Sequence, residues 1–484
     1  MTDLAHRSAL ESELARIEAL SAAQAPTTDL LFRQAVLLND LGRIDEAKSV
    51  YLEILKIDST HLGALSNLGG LLYEMNFREA AITLFNRIIQ CYPNEAAGHV
   101  NLATVLWDHD DHAGARFHYE AALKIDPDCP EAHQGMACVL MELREDDAAW
   151  EHGQKGFAGR PCQVIACRGS REPVSVLVLN SVAGGNTPLR RAIDNQVFTT
   201  TLLATEFYDP ARPLPEHQVV WNAIGDADLG GKALHTAAEL LRKTGAPVIN
   251  RPEAVALTGR ECMTKRLAGI KNLLLPKTVR MSRSALERDD AKAALEAMGF
   301  RFPVLLRALG FHAGKHFIKA AGADNLRAGL AAMPGGEFAV IQFLDVPGKD
   351  GNYRKYRVMT IDGKFYPLHA AISRNWKIHY FSADMAENAA HRAEDGDFLL
   401  DMPSVLGPAA MATLEEIRSA VSLDYAGIDF GMTAKGEILF FEANAAMVIL
   451  PPGRGEQWDY RRAPVQKALD AVTAMLLSRS EAVT

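Results

Sequence analysis

The sequence has no apolar run approaching the eighteen or so residues that a bilayer-spanning helix requires, which excludes a helical membrane span. Its opening, MTDLAHRSALESEL, carries acids early and no apolar stretch, so no secretory leader is expected and the protein is expected to act in the cytoplasm. Cysteine is scarce. The six residues, Cys91, Cys129, Cys138, Cys162, Cys167 and Cys262, form no C-x-x-C pair, and Cys162 with Cys167 has the wrong spacing for a zinc knuckle. In a long intracellular chain they are expected as reduced thiols rather than as a disulfide framework or a structural metal site. An excess of basic charge is also missing. Lys and Arg number 51 against 60 Asp and Glu, a formal net charge of −9, which argues against nucleic acid as the main partner. No Ser-His-Asp or Cys-His signature and no full G-x-G-x-x-G is present, so neither a nucleophilic hydrolase nor a dinucleotide site is expected.

What the chain does have is ordinary globular composition, 48% apolar and 23% charged, over 484 residues. That length suggests roughly three structural units. A self-comparison at a shift of 34 aligns Ala47, Ala81, Ala115 and Ala149 in one column and Leu38, Leu72, Leu106 and Leu140 in another. A third column is uniformly small: Ala35, Gly69, Ala103 and Ala137. Ser59, Pro93, Pro127 and Pro161 close the units. Small residues let two helices approach closely, and proline stops the second helix of each pair. Tyr51, Phe85 and Tyr119, four after each first-column alanine, fill the space between neighbouring repeats, whereas the fourth unit has Gly153 there and reads as a degenerate cap. Period and pattern resemble the tetratricopeptide repeat family over residues 28–162. Residues 1–27 read as an extra helix, with Leu14 and Ile17 on its apolar face. The resemblance implies a groove for a peptide or protein, with a purely scaffolding role as the alternative.

After Pro161 the pattern becomes α/β. Val174–Asn180 (VSVLVLN) reads as a buried parallel strand, and Gly184-Gly185-Asn186-Thr187 as a loop opening a helix. Such a loop either holds an anion or is a plain tight turn. Further strands near Val197–Glu206, Gln218–Ala223 and Pro247–Asn250, with a helix at Lys232–Lys243, predict a small doubly wound domain over residues 173–251.

Three blocks follow in order: RPEAVALTGRECMTKRLAGIKNLLLPKT, FPVLLRALGFHAGKHFIKA and YAGIDFGMTAKGEILFFEANAAM. In the last, a turn at Thr433–Gly436 joins two strands, and alternation puts Glu442 and Asn444 on one face with Asp429 across the hairpin. Three hard oxygens of this kind suit magnesium shared with nucleotide phosphates. The succession resembles the ATP-grasp superfamily across residues 173–480, with the catalytic domain over 252–480. The expected architecture is therefore multidomain: an all-α tetratricopeptide solenoid, an α/β pre-ATP-grasp domain and an α+β ATP-grasp domain.

The resemblance implies ATP and two Mg²⁺ ions as cofactors, with Asp429, Glu442 and Asn444 as metal ligands. It implies ATP contacts from Arg260 or Lys265 on one helix, from Arg307, and from a mobile loop, Gly310 to Gly314 with Lys315. The stretch Val340-Ile341-Gln342-Phe343-Leu344-Asp345 is implied as the hinge, Gln342 and Leu344 meeting adenine through their backbones and Asp345 reaching the ribose, with a plain apolar strand as the alternative. Arg357 and Arg374, flanking the hairpin at Thr360–Lys364, are implied to contact the γ-phosphate or an acyl phosphate. Where the family commonly continues N-x-S-P-G, this chain has Asn444-Ala-Ala-Met447, a departure that falls on the acceptor pocket. The implied activity is an ATP-dependent carboxylate–amine ligase (less readily C–S bond formation), acting through an acyl phosphate on a small-molecule or peptide carboxylate and an amine acceptor. The alternatives are a nucleotide-sensing adaptor and a small-molecule kinase using the same site.

Overall fold

The computed structural model describes residues 3–23, 26–109, 111–143, 145–189, 192–309, 316–378, 383–453 and 455–481. The chain divides into two compact units, one formed by residues 1–184 and 194–218, the other by 185–193 and 219–484. Residues 173–251 are thus shared between the two. Among the described residues no helix is long and apolar enough to cross a membrane.

The first unit opens with α1 (Asp3–Ala23) and continues as helix pairs: α2 (Thr28–Asp40) with α3 (Ile44–Ile57), α4 (Leu62–Glu74) with α5 (Arg78–Cys91), α6 (Ala96–Trp107) with α7 (His112–Ile125), and α8 (Pro130–Glu142) with α9 (Asp146–Phe157). Starts are set by capping chemistry: Thr27 accepts from the Leu30 amide, Asp111 from the Gly114 amide, and Pro130 occupies the first turn of α8. The small-residue column lies at the helix crossings, where Ala35, Ala103 and Ala137 are fully buried. A Cβ on Gly69 would lie 2.5 Å from the Phe85 ring, which is itself buried. Gly69→Leu is therefore expected to destabilise this unit by about 1–3 kcal/mol despite its better helix propensity. A shift of the chemical-unfolding midpoint to lower denaturant checks this.

The expected N-terminal helix is present, with Leu14 and Ile17 buried, Leu14 within the core of the first repeat. The fourth pair ends differently from the others. A Cβ on Gly153 would lie 2.3 Å from the ring of Phe207, which stacks on Phe157 at 5.2 Å and packs against Trp150 at 4.8 Å. Phe207 supplies from outside the repeat the aromatic that Gly153 lacks. It sits in a 3-10 turn, Thr205–Phe207, directly after a strand, and packs with Ala137, Val182 and Ala204. The segment after Pro161 contains β1 (Cys162–Ile165). β1 pairs antiparallel with β3 (Phe198–Ala204), which runs parallel to β2 (Val174–Asn180). Arg7 of α1 reaches the carbonyls of Arg168 and Gly169, so this segment also touches the start of the solenoid.

The second unit begins with β4 (Val219–Asn222), α10 (Gly231–Leu241) and β5 (Val248–Ile249), the two strands being parallel. Next come α11 (Pro252–Ala256), α12 (Arg260–Leu267), β6 (Leu273–Leu274) and β7 (Thr278–Ser282). α13 (Arg283–Leu286), α14 (Ala291–Ala297), β8 (Val304–Ala308), β9 (Phe317–Ala320), α15 (Ala323–Ala332) and β10 (Glu337–Gln342) follow. The remainder is β11 (Tyr353–Ile361), β12 (Lys364–Ser373), α16 (Ala389–Leu400), α17 (Met402–Val421), β13 (Tyr425–Met432), β14 (Ile438–Asn444) and α18 (Arg462–Glu481).

The strands from β6 onward make two sheets. One is antiparallel in the order β7-β10-β8-β9, its apolar face covered by Leu286, Leu295, Leu326 and Leu330 of the helices. The other has the order β12-β11-β13-β14-β6 and packs on α12, α16 and α17. β13 is buried along nearly its whole length, as expected of a central strand covered on both faces. Its start is fixed by Asn250, whose buried side chain donates to the Tyr425 carbonyl and accepts from the Tyr425 amide. The α-helix expected after Gly184–Thr187 is absent among the described residues. Instead Thr187 donates to the Ala445 carbonyl at 2.7 Å, and its amide donates to Ala223. The loop is thereby committed to a turn beside Ala445.

Candidate functional site

Strand alternation along β11 puts Lys355 and Arg357 on one face, and the register of β11 with β13 sets Arg357 opposite Asp429. Asp429 is fully buried, and both of its oxygens are used. The Arg357 guanidinium grips them as a fork, Nε to Oδ1 and Nη2 to Oδ2 at 2.7 Å each, while Lys355 Nζ stands 2.5 Å from Oδ2. Burial alone would raise this carboxyl's pKa. Arg357 and Lys355 outweigh burial and hold it well below the usual carboxylate range.

One strand further, Glu442 lies directly across from Asp429 on β14, beside a bulge between Asp429 and Phe430. It collects two more cations from elsewhere in the unit. Arg260, the first residue of α12, donates to Glu442 Oε2 at 3.0 Å, and Arg307 of β8 stands 3.6 Å from the same atom. Burial opposes ionisation of Glu442 as well, but Arg307 and then Arg260 depress its pKa to about 2. Burial and the neighbouring Arg260 in turn weaken the hold of Arg307 on its proton, against Glu442. Asp228 lies 3.9 Å from Arg260, and burial and Asp226 raise its pKa.

Arg260, Arg307, Lys355, Arg357, Glu442 and Asn444 line one solvent-open cleft of ≈ 280 Å³ in the second unit. Its other walls are largely apolar, with Leu275, Leu305, Ile341, Met432 and Leu439 among them. At one side Phe317 and Phe343 pack edge-on to Trp376 at 5.5 and 5.7 Å, and Lys319 lies 4.4 Å from the Phe343 ring centre. Four cationic groups clustered on two carboxylates beside an apolar recess suit a flat apolar ligand carrying several negative charges.

The other residues singled out in the sequence divide as follows. Lys265 is exposed, paired with Glu261 at 2.8 Å, and does not line the cleft, whereas Arg260 of the same helix does. Gln342 and Leu344 line the cleft, but the Gln342 amide donates to the Lys277 carbonyl and its side chain bridges to Arg301. Asp345 is exposed and accepts from the Tyr353 hydroxyl at 2.6 Å. Arg374 is exposed and outside the cleft, because β12 ends at Ser373; Trp376 and Lys377 line it instead. Gly310, Gly314 and Lys315 lie outside the described residues. Lys355 was not singled out, although its spacing of two from Arg357 was the available signal.

The donor set expected for Mg²⁺ does not stand as an open site. Asp429 is saturated by Arg357 and Lys355 and does not line the cleft, and Asn444 Oδ1 accepts from the Ala446 amide at 3.0 Å. Among the described residues no group of three or more His, Cys, Asp or Glu side chains is arranged to hold a metal ion. As they stand, these residues do not fit a resident metal, since a bare cation would have to displace two basic side chains from Asp429.

The tetratricopeptide repeat family profile matches residues 28–61 and 96–129, the first and third helix pairs. The N-terminal region therefore carries tetratricopeptide repeats, modules that generally bind peptides or proteins. The chain is similar to solved structures of MamA, one of them MamA from residue 41 to its end, from Desulfovibrio magneticus RS-1 (18% identity, TM-score 0.29, covering 32% of this chain and 86% of that one). Another MamA crystal structure is 19% identical, with a TM-score of 0.28, 31% of this chain and 87% of that one covered. PilF of Pseudomonas aeruginosa is 24% identical, with a TM-score of 0.30 and coverages of 32% and 70%. No curated protein sequence matches the chain.

Proposed function

We propose that the second unit is an ATP-dependent carboxylate–amine ligase of ATP-grasp type and that the repeats recruit its peptide or protein substrate. The observation that carries this reading is the set of four cations, Arg260, Arg307, Lys355 and Arg357, gathered from a helix and two sheets at an apolar cleft. The order of the sequence blocks supports the same reading.

On this reading ATP enters as its magnesium complex, the ion arriving with the nucleotide. The purine lies against the apolar wall, and the phosphates compete with Glu442 for Arg260 and Arg307. A substrate carboxylate oxygen attacks the γ-phosphorus, the bond to the β-phosphate oxygen breaks, and ADP leaves. Lys355 and the Nη1 group of Arg357, which Asp429 leaves unengaged, offset charge growing on the transferred group. An amine nitrogen then attacks the acyl carbon, phosphate departs, and the nitrogen loses its proton. No nucleophilic side chain is needed.

The test is product analysis with MgATP and panels of carboxylates and amines. ADP, free phosphate and an amide are expected, and Lys355→Met should lower kcat/KM at least about 100-fold. A product that keeps the phosphate would make the protein a kinase. No calorimetric or thermal response of the full-length protein to millimolar MgATP would remove the nucleotide reading altogether.

A further inference from the structure

Away from the cleft, the solenoid carries a side-chain pattern that the repeat fold does not require. His99 of α6 and His118 of α7 meet Nδ1 to Nδ1 at 2.9 Å, and His133 of α8 and His152 of α9 meet in the same way at 2.8 Å. The two pairs are one repeat apart, 34 residues, in both partners. At the equivalent positions the first repeat has Leu31 and Val50 and the second has Leu65 and Leu84, all part of the apolar core. The fold accepts an apolar pair there, and packing gives no reason to replace it twice by buried or half-buried imidazoles, which are costly to desolvate.

The geometry points to chelation. We propose that His99–His118 and His133–His152 are tandem binding sites for a divalent transition metal of the Ni²⁺ and Cu²⁺ class, each pair supplying two imidazole nitrogens and water completing the shell. With metal–nitrogen bonds of about 2.0–2.1 Å, nitrogens this far apart subtend about 90° at the ion, the cis angle of tetragonal coordination. A tetrahedral ion needs the rings to open further, so zinc fits less well.

Two further observations support the proposal. His133 Nε2 faces the Pro127 carbonyl at 2.9 Å, which places its proton on Nε2 and leaves the Nδ1 lone pair facing His152. This is how metal-ligating histidines are commonly oriented. Burial also holds His99, His118 and His152 below the usual imidazole pKa, so these rings are neutral and able to coordinate at pH 7. Around the pairs, His99 and then Asp111 act on His118, and His133, Lys155, Glu151 and Glu120 act on His152, the acids drawing a cation and Lys155 opposing it.

Equilibrium dialysis of metal-stripped, reduced full-length protein against Ni²⁺, a probe that does not oxidise thiols, tests this. Two ions are expected per chain, with His118→Gln and His152→Gln each removing one. Because glutamine at these sites can perturb packing, the double change His99→Leu with His118→Leu is the second variant. It recreates the Leu65–Leu84 pair, and it should keep full helicity while lowering capacity by one ion. If the wild type binds no Ni²⁺ at 100 times the protein concentration, or if capacity is unchanged in the leucine variant, the pairs are proton-sharing contacts only and the proposal fails.

Discussion

Replacing Asp429 by asparagine is expected to cost the second unit about 3 kcal/mol of unfolding free energy and to abolish the proposed turnover. The side chain keeps its shape but loses its charge at the point where Arg357 and Lys355 converge. Two cations are then left in a half-buried place without their counter-ion, and breaking a buried pair on one side is far more damaging than never having built it. The loss of activity follows from the same contact. Arg357 and Lys355 are aimed into the cleft because Asp429 holds them, and an unanchored lysine or arginine gives up the preorganisation that stabilises developing charge. Denaturant unfolding and ADP release would be measured together. Normal stability with normal turnover would remove Asp429 from both roles.

The same carboxyl predicts an acid limb. Its pKa is depressed in the folded chain, so its contribution to stability is full above the unfolded value of about 3.9 and is lost as pH falls below that toward the folded value. Glu442, depressed to about 2, adds to the same window. Unfolding free energy should therefore fall between about pH 4 and pH 2, more steeply in the wild type than in Asp429→Asn.

The repeats were legible because their information is local and periodic: size at the helix crossing, an aromatic four residues after an alanine, and a proline at the end. The limits of this legibility are equally physical. In sequence Gly153 reads as decay of the pattern, whereas Phe207, far along the chain, fills the vacated space. β1 is four residues long and only half-buried, too short for an alternation signal. At the cleft, residue types were readable but their partners were not. Asp429 was expected to face a metal because its strand is apolar and its neighbours are acceptors, yet which cations meet it is set by the register of β11 on β13, a pairing across 72 residues. Arg374 failed to reach the cleft for a local reason, the end of β12 at Ser373, and strand ends are what pattern reading locates least well. The convergence of Arg260 and Arg307 on Glu442 is a tertiary fact that spacing does not encode.

Truncation has the other large expected effect. Read from sequence, removal of residues 1–162 leaves a soluble catalytic module, because a solenoid stacks on itself and closes its own core. In the structure this solenoid is not closed at its last repeat. Phe157 and Trp150 pack on Phe207, and Ala137 is buried with Val182 and Ala204, with Cys138 against them. At the other end Arg7 is bonded to the carbonyls of Arg168 and Gly169. Cutting at residue 162 strips this cover from β2, β3 and the turn that follows, and exposing Phe207 alone forfeits about 2–3 kcal/mol. A sheet stripped of its helical layer presents an uncovered apolar face, and such a face is an aggregation site. The shortened protein is therefore expected to aggregate or to bind a hydrophobic dye strongly, whereas full-length Phe207→Ala should stay soluble with a first unit weakened by about 2 kcal/mol. Size-exclusion chromatography and dye fluorescence on the two proteins decide it. A monodisperse, dye-silent 163–484 protein would mean that β1–β3 hold together without the repeats and that Phe207 merely caps them.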